Sequence, residues 1–495
     1  MTTVLLLAPI AIPLAAAALC AALGWRRIAA HATTVAAALV LADAIALAVT
    51  VSRDGAATAF GGWLRADSLA AFLLLGIGTI ALIACAAGPA YLAHRRDTTA
   101  GEASAERRYG VLVPCFLAAM ATAALAGNLG LAWIAIEATT IVTAFLVGHT
   151  GSRTALEAAW KYTVICSTGI ALALLGLVLL YDAARHAGLS ETDALDYTVL
   201  TAHAHALDPA VTRMATAFLL LGFGAKAGLV PLHSWLPDAH SQAPAPVSAL
   251  MSGVLLPVAF AQILRARQIA DPVLGIGYGR TLLLIMGLGT LGLAALALIR
   301  QTDYKRMLAY SSMEHMGLVA IGAAIGTPLA LAAVLLHIAG HGLAKAVAFT
   351  SAGQILAAER TSRIDDIRAL ARRRPVLAGV FGAALLALLG FPPFSLFASE
   401  IALARAGFDA HLGPAVAAAL VLLLVAFAAL AAHGGRMLLG TSPTDGMVAI
   451  VAEPAAGTGI RARVPLIAAL VLLAGLGVTI WPIQTLLTAA AQAGH

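Results

Sequence analysis

The chain has 495 residues, of which 61% are hydrophobic and 11% are charged, and its mean hydropathy is +0.93. A soluble domain cannot bury that much apolar surface, whereas a lipid bilayer can hold it. The net charge of +6 is spread over short loops, which disfavours a nucleic-acid-binding protein.

Apolar runs of roughly twenty residues predict an all-α polytopic membrane protein with about fourteen transmembrane helices. We interpret the first run as an uncleaved span and not a signal peptide, because it lacks a basic start and is followed by Arg26 and Arg27. The predicted spans are 3–23, 30–51, 67–93, 109–126, 128–149, 158–181, 211–241, 243–266, 280–300, 305–324, 328–357, 375–404, 412–438 and 463–488.

Arginine predicts the orientation of these spans. Most arginines, among them the pairs at 26–27, 95–96 and 107–108 and the run at 372–374, fall in one set of alternate loops. The other set holds Arg53, Arg65, Arg185, Arg213, Arg265, Arg267, Arg280 and Arg405. The positive-inside rule places the first set in the cytoplasm. We therefore expect a multi-pass protein of the cell inner (cytoplasmic) membrane with both termini outside.

Two predicted spans are interrupted by glycine and proline, span 7 at residues 228–231 and span 12 at residues 390–393. Proline removes a backbone donor and clashes with the preceding turn, so a straight helix should not pass through either place. Spans 4–8 and spans 9–13 form two units of five spans. Because each unit has an odd number of spans, the second unit is inverted in the membrane relative to the first. The broken helix is the fourth in each unit. Such matched breaks indicate an ion pathway, although transmembrane helices also tolerate prolines. The predicted segments are 1–108 (three helices), 109–266 (first repeat), 280–438 (second repeat) and 463–495 (span 14).

The chain has four lysines, and Lys161, Lys226 and Lys345 lie within predicted spans. Arginine stays protonated, whereas a desolvated lysine can lose its proton near neutral pH. A charge at mid-bilayer costs roughly 2.5–3.5 kcal/mol on insertion scales. We therefore expect the buried lysines to face polar cavities or partners.

Glu137, in the middle of span 5, is the expected partner of Lys226, which lies just before the break in span 7. A nearby carboxylate holds the lysine charged, and moving it away lets the proton leave. This pair predicts a proton switch. A static structural ion pair is the alternative.

His337, His341 and Lys345 recur every four residues in span 11, so they share one helix face. Histidine titrates near physiological pH, and the row suits a stepwise proton relay. Two histidines at this spacing also occur in metal sites, but a third ligand is missing from the motif. We therefore expect no metal site here.

Glu400 follows the break in span 12 near its outer end and is a candidate proton exit, the alternative being a hydrated interfacial acid. Several further titratable residues flank the breaks and the starts of spans as secondary candidates. They are Lys161, which is spaced to pair with Glu157, and His233, His240, Lys305, Glu314 and His315. Lys305 and Arg306 would form a cytoplasmic proton entrance, or simply snorkel to the interface.

Three segments resemble a known family: GLVPLHSWLPDAHSQAPAPVSALMSGVLL, DYKRMLAYSSMEHMG and HIAGHGLAKAVAF. They are similar to the antiporter-like proton-translocating subunits of NADH–quinone oxidoreductase, membrane-bound hydrogenases and Mrp antiporters. Their amino-acid sequences most resemble that of hydrogenase-4 component F. The resemblance spans the two predicted repeats and extends loosely to the rest.

The resemblance implies roles for residues at matching positions. Glu137 and Lys226 match the glutamate–lysine pair of the first repeat, and Lys345, with its two histidines, matches the central relay. Glu400 matches the terminal ionisable residue of span 12. Many relatives carry a lysine or histidine inside span 8, whereas this chain has Ser252 and Pro257, which leaves a gap in the predicted path.

The resemblance also implies partners: other membrane subunits and a peripheral redox arm carrying iron–sulfur clusters and, in a hydrogenase, a [NiFe] centre. The four cysteines form no CxxC pair, and no catalytic nucleophile, nucleotide loop or redox cofactor site is recognisable, so we expect no cofactor in this chain. Any oxidoreductase activity would belong to the complex. An Mrp-type Na⁺/H⁺ antiporter module and a non-transporting membrane anchor are the alternatives.

Overall fold

The computed structural model describes residues 2–25, 27–93, 100–441, 460–480 and 483–493. Arg26, Arg95 and Arg96, which contribute to the predicted orientation of the spans, lie outside these residues. The N-terminal part contains three long helices and a small antiparallel hairpin. Its elements are α1 (Thr2–Leu23), α2 (Arg27–Asp54), β1 (Ala57–Ala59), β2 (Leu64–Ala66) and α3 (Ser68–Ala93).

The central part of the chain is helical. Its helices are α4 (Ala100–Leu125), α5 (Leu129–Val147), α6 (Arg153–His186), α7 (Tyr197–Ala202), α8 (Pro209–Lys226), α9 (Trp235–Gln242), α10 (Ala245–Leu250) and α11 (Leu256–Leu274). A π-helical turn, Met251–Leu255, joins α10 to α11 into one continuous span.

The following helices repeat this order of long, broken and long elements. They are α12 (Ile276–Ile299), α13 (Tyr304–Ile325), α14 (Pro328–Glu359), α15 (Leu370–Arg373), α16 (Pro375–Leu388), α17 (Ser395–Asp409) and α18 (Gly413–Leu439), followed by α19 (Ile460–Val478) and α20 (Gln484–Ala493).

Ten helices among the described residues are long and apolar enough to cross a membrane, and each corresponds to one predicted span. The other four predicted spans fall on different kinds of helix. Two of them are broken into α8–α9 and α16–α17, a third is divided between α19 and α20, and α13 is rich in polar residues. A polytopic helical membrane protein is therefore confirmed, while the count of fourteen spans stays a prediction.

The two breaks have the same local geometry. Gly228 and Gly390 both have left-handed backbone angles, with φ of +78° and +62°. A cis peptide bond follows each glycine, at Val230–Pro231 and at Pro392–Pro393. The positive φ of Gly228 favours glycine there, and an added side chain would also come within 2.4 Å of Leu236 Cδ1, where α8 and α9 approach each other.

The interior of the molecule is formed by the span Ala245–Leu274 and by α14, which are 94% and 89% buried over their apolar windows. Around α14 pack α3, α10, α13, α16, α17, α19 and α20. A helix enclosed on all sides presents every face to protein. Its polar residues therefore lie in the core of the molecule, away from lipid.

An ion pair fixes the start of α3 to the middle of α11. Arg265 donates to both carboxylate oxygens of Asp67, at 3.0 and 3.2 Å, and its guanidinium lies 4.7 Å from the centre of the Tyr197 ring. The carboxylate also accepts a hydrogen bond from the amide of Ala70 at 2.9 Å and lies 3.8 Å from the guanidinium of Arg65. Burial by itself would raise the pKa of Asp67, but the charge of Arg265 and these hydrogen bonds outweigh it and hold the pKa below its usual range.

Candidate functional site: a buried row of titratable side chains

Lys226 ends α8 beside the first break and is fully buried. Its ammonium donates to the hydroxyl of Thr140 at 2.8 Å and to that of Tyr162 at 2.5 Å, and it lies 4.7 Å from the centre of the tyrosine ring. Tyr162 also hydrogen-bonds Thr143. Hydroxyls of α5 and α6 therefore solvate the buried lysine.

Glu137 is not in direct contact with Lys226, contrary to the sequence expectation of a paired switch. One carboxylate oxygen accepts a hydrogen bond from Ser167 at 3.1 Å, and the other is buried without a partner. The reason is the packing of α6 against α5, which brings Ser167 to the acid and Tyr162 to the lysine. The acid and the amine therefore each have hydroxyl partners and do not hydrogen-bond each other.

Sequence reasoning missed Thr140 and Tyr162 as partners of Lys226. Thr140 lies one helical turn after Glu137, so its position on the same face was available from spacing. Tyr162 gave no comparable signal, since its contact with Lys226 joins residues 64 positions apart.

Lys161 lies in a half-exposed ion network at the end of the bundle where α6 and α13 begin. The predicted pair with Glu157 is present, with 2.6 Å between charged atoms. Asp238 joins Lys161 at 3.3 Å to Arg306 at 2.8 Å. This network connects the second half of the first broken helix to the start of α13.

Lys305 is buried and donates to the main-chain carbonyls of Ser241 and Ala243, at 2.7 and 2.8 Å, at the end of α9. A cation at a helix C-terminus satisfies carbonyls that lack an intrahelical partner. The buried His240, one turn earlier, stacks on Phe349 of α14 with 5.1 Å between ring centres. Neither nitrogen of His240 has a hydrogen-bond partner.

His233 lies between α8 and α9 and is half-buried, and its Nδ1 has no partner. The other candidate of this region, His240, reaches α14, whereas His233 stays at the break. The two histidines therefore do not belong to one cluster.

The structure brings His315 of α13 together with the two histidines of α14. The Nδ1 of His315 lies 3.1 Å from the Nε2 of His337, and the ring centres of His315 and His341 are 4.9 Å apart. The Nδ1 of His337 lies 2.9 Å from the hydroxyl of Ser399 on α17. All three rings are buried, and they link α13, α14 and α17.

Lys345 is fully buried one turn beyond His341. Its ammonium donates to the main-chain carbonyl of Leu308 at 2.7 Å and to the hydroxyl of Ser311. Within the part of the chain that the structure describes, no carboxylate forms an ion pair with it. The lysine is therefore held by neutral groups of α13.

Ser252 lies in the π-helical turn, where the sequence left a gap in the predicted path. Its hydroxyl is 2.8 Å from that of Ser312 and 3.5 Å from the Nε2 of His341. π-Helical turns are frequent at functional sites. Span 8 therefore contributes a hydroxyl to the row in place of a charged side chain, while Pro257 lies among the buried residues of α11.

Glu314 and Glu400 line one cavity of about 220 Å³, whose other lining residues are apolar. The carboxylate of Glu400 lies against Gly390, where an added side chain would come within 2.3 Å of its Oε2. The carboxylate reaches back to the break because helical side chains point towards the N-terminus of their helix. The position of Glu400 near the outer end of span 12 stays a prediction.

No group of three or more histidine, cysteine or acidic residues suited to hold a metal ion occurs among the described residues. The histidine cluster is held together by hydrogen bonds among its own rings and serines. The four cysteines are free thiols.

Comparison with known proteins matches residues 126–426 to the family described as NADH:quinone oxidoreductase/Mrp antiporter, TM. A hydrogenase-4 component F homolog of Methylacidiphilum infernorum is 36% identical over 348 residues, covering 70% of this chain and 73% of that protein. NADH-quinone oxidoreductase subunit N 1 of Solibacter usitatus is 29% identical over 376 residues, covering 75% and 74%.

Solved structures share the fold over nearly the whole chain. A chain of the archaeal membrane-bound sulfane sulfur reductase gives a TM-score of 0.86 at 23% identity, covering 99% of this chain and 97% of that one. A chain of the Mrp complex from Dietzia sp. DQ12-45-1b gives 0.83 at 22%, with the same coverage. The chain is thus a multi-pass antiporter-like membrane protein, and it belongs to the NADH:quinone oxidoreductase/Mrp antiporter membrane family.

Proposed function

We propose that the chain is the proton-translocating membrane subunit of a redox-driven complex. The observation that carries the proposal is the buried row itself. Two lysines, three clustered histidines and three acids lie inside a membrane bundle, and the hydrogen bonds of both lysine ammonium groups go to neutral groups. They are Lys226, Lys345, His315, His337, His341, Glu137, Glu314 and Glu400. Buried ionisable residues are costly in a membrane and mark ion pathways.

A proton is the ion that suits this row best. Three neighbouring imidazoles, two of which share a hydrogen bond, can pass protons, whereas Na⁺ requires a shell of oxygen ligands. The relatives named hydrogenase-4 component F and NADH-quinone oxidoreductase subunit N favour a redox-driven complex. The Mrp-type Na⁺/H⁺ antiporter module remains the second candidate, since the same fold occurs in the Mrp complex.

The proposed topology has fourteen spans, with spans 4–8 and 9–13 as inverted repeats. The twin breaks support it, because Gly228 and Gly390 both have left-handed backbone angles and a proline follows each of them at the same spacing, at 231 and 393. Asp238 and Glu400 also stand equally far after their glycines. By this correspondence the acid at each break occupies an equivalent place in its repeat.

The proposed route uses the row in order. Electron transfer elsewhere in the complex displaces charge near Glu137, which changes the proton occupancy of Lys226. Protons enter past Lys305 and His240, pass Lys345 and the histidine cluster, and leave by Glu314 and Glu400. Each charge moved across the membrane stores roughly 2.3 kcal/mol per 100 mV.

The proposed partners are the lipid bilayer, other membrane subunits and a peripheral redox arm that carries iron–sulfur clusters. In a hydrogenase complex this arm would also carry a [NiFe] centre. Exposed apolar side chains on α5, α6 and α18 supply faces for lipid or neighbouring subunits. The proposed location is the inner membrane with both termini outside. Copurification with identification of the bound subunits tests the assembly.

The test of the transport role is proton pumping by the purified complex in lipid vesicles. Lys226→Ala should abolish pumping, and Lys226→Arg should do so as well, because arginine keeps the charge but does not release its proton. Pumping by Lys226→Arg at the unmodified rate would show a static charge and contradict the proton switch. Pumping that requires Na⁺ would favour the antiporter module, and undiminished pumping in both variants would favour a non-transporting anchor.

A further inference from the structure

The three clustered histidines have hydrogen-bond partners that decide which nitrogen of each ring carries its proton. A neutral imidazole has one N–H donor and one proton-free acceptor nitrogen. His315, His337 and His341 are all buried, so their protein partners fix the tautomers.

Ser399 decides the tautomers of two rings. A hydroxyl has one hydrogen, and that of Ser399 is donated to the main-chain carbonyl of Leu396 at 2.8 Å. Its oxygen therefore accepts from the Nδ1–H of His337, which leaves the Nε2 of His337 as an acceptor. That Nε2 accepts from the Nδ1–H of His315 at 3.1 Å. The Nε2 of His315 is then proton-free, and it is buried without a partner.

Ser252 decides the tautomer of the third ring in the same way. Ser312 donates to the carbonyl of Leu308 at 3.0 Å and accepts from Ser252 at 2.8 Å. The oxygen of Ser252 is left to accept from the Nε2–H of His341 at 3.5 Å. The Nδ1 of His341 is then proton-free, and it too is buried without a partner.

We propose that Ser399 and Ser252 are positioning residues that set these tautomers, so that the Nε2 of His315 and the Nδ1 of His341 form the proton-accepting site of the relay. The inference rests on the proposed transport function and adds residues that do not titrate. The rings of His315 and His341 are neighbours, with centres 4.9 Å apart and planes inclined at 59°.

The transfer follows from the polarity of the hydrogen bonds. A proton released by the Lys345 ammonium, one turn from His341, binds a proton-free nitrogen of the site. When it binds the Nε2 of His315, the Nδ1 proton of that ring moves to the Nε2 of His337. His337 becomes the imidazolium, with its Nδ1–H still donated to Ser399, and His315 returns neutral. Lys345 loses one proton and the histidine cluster gains one.

Solid-state ¹⁵N NMR of the full chain in lipid vesicles tests the tautomers directly, with histidine signals assigned from His315→Gln, His337→Gln and His341→Gln variants. We expect Nδ1–H on His315 and His337 and Nε2–H on His341. A proton on the Nε2 of His315 in the unmodified protein would overturn the proposal.

Ser399→Ala removes the acceptor of the His337 Nδ1–H, so His337 should donate through Nε2 and both His337 and His315 should exchange tautomers. Ser399→Thr, which keeps a hydroxyl, should restore the original signals. Ser395→Ala is the matched control, because Ser395 is also buried on α17 and its hydroxyl has no partner. Unchanged tautomers in Ser399→Ala would overturn the assigned role.

Proton flux through the reconstituted complex provides the functional readout. Ser399→Ala should slow it by roughly tenfold, less than the roughly hundredfold or more expected from losing a proton-transfer group itself, because Ser399 only orients that group. Ser395→Ala should not slow it. Equal flux in both variants would overturn the positioning role. The NMR result needs no transport, so the expected tautomers in a chain that moves no protons would contradict the proposed function and leave the tautomer assignment standing.

Discussion

The two buried lysines have different chemical surroundings. Lys226 is held by the side-chain hydroxyls of Thr140 and Tyr162, whereas Lys345 is held by a main-chain carbonyl and the hydroxyl of Ser311. Beyond the first lysine the row continues through hydroxyl groups. Beyond the second it continues through three imidazoles.

This difference in neighbours implies a difference in role. A hydroxyl hydrogen-bonds a proton carrier but does not hold the proton as a cation near neutral pH, whereas an imidazole does. The centre at Lys226 therefore stores one proton on the lysine and suits a switch. The centre at Lys345 offers successive binding positions and suits a relay.

The largest expected effect comes from breaking the relay centre. Lys345→Ala should reduce proton flux in the reconstituted complex roughly a hundredfold, and Lys345→Arg should do so as well, because a relay residue must release its proton. Thr350→Val is the control, since Thr350 is buried on the same helix and its hydroxyl has no partner. Normal proton flux in Lys345→Arg would mean that Lys345 acts as a fixed charge and not as a relay residue.

A smaller effect is expected from altering the hydroxyl surroundings of Lys226. Tyr162→Phe keeps the ring beside the lysine and its packing on Trp235, but removes the hydrogen bond to Lys226 and the one to Thr143. The loss of about 1 kcal/mol of stabilisation of the protonated lysine should change flux several-fold, about fivefold. Thr168→Val on the same helix is the control, because its hydroxyl bonds only its own helix. Equal flux in the two variants would mean that Tyr162 does not tune the switch.

The smallest effect on transport is expected at the ion pair of Asp67 and Arg265. We assign this pair to the stability of the fold and not to either lysine centre. Asp67→Asn weakens the ion pair with Arg265 and should lower the free energy of unfolding by about 1–3 kcal/mol without changing flux per folded molecule. The exposed Asp54 provides the control, Asp54→Asn. A loss of proton flux in Asp67→Asn without a change in the free energy of unfolding would show that Asp67 acts on one of the two lysine centres.

The pH dependence of that ion pair has a definite sign. The pKa of Asp67 is lowered in the folded state from the model-compound value of 3.8. Its stabilisation is therefore fully present above pH 3.8 and is lost as the pH falls through the lower folded value. Thermal unfolding in detergent should show the difference between Asp67→Asn and the unmodified chain shrinking below that pH. A difference that grows on acidification would contradict this assignment.

Much of the fold followed from the sequence because its signals are local. Apolar runs predicted the helices, and the glycine–proline segments predicted both breaks. The family inferred from three motifs is confirmed by the match over residues 126–426. The roles assigned to the row stay predictions, as do the repeats, the orientation and the complex.

The sequence by itself determined the membrane class, the family and the shared face of His337, His341 and Lys345, since helical periodicity acts within one helix. Only the tertiary structure decided what each of these side chains meets. It placed Tyr162, not Glu137, on the ammonium of Lys226. It also placed Ser399, 62 positions away in the chain, on a relay histidine. Such contacts depend on how separate helices pack, and no spacing within one helix encodes them.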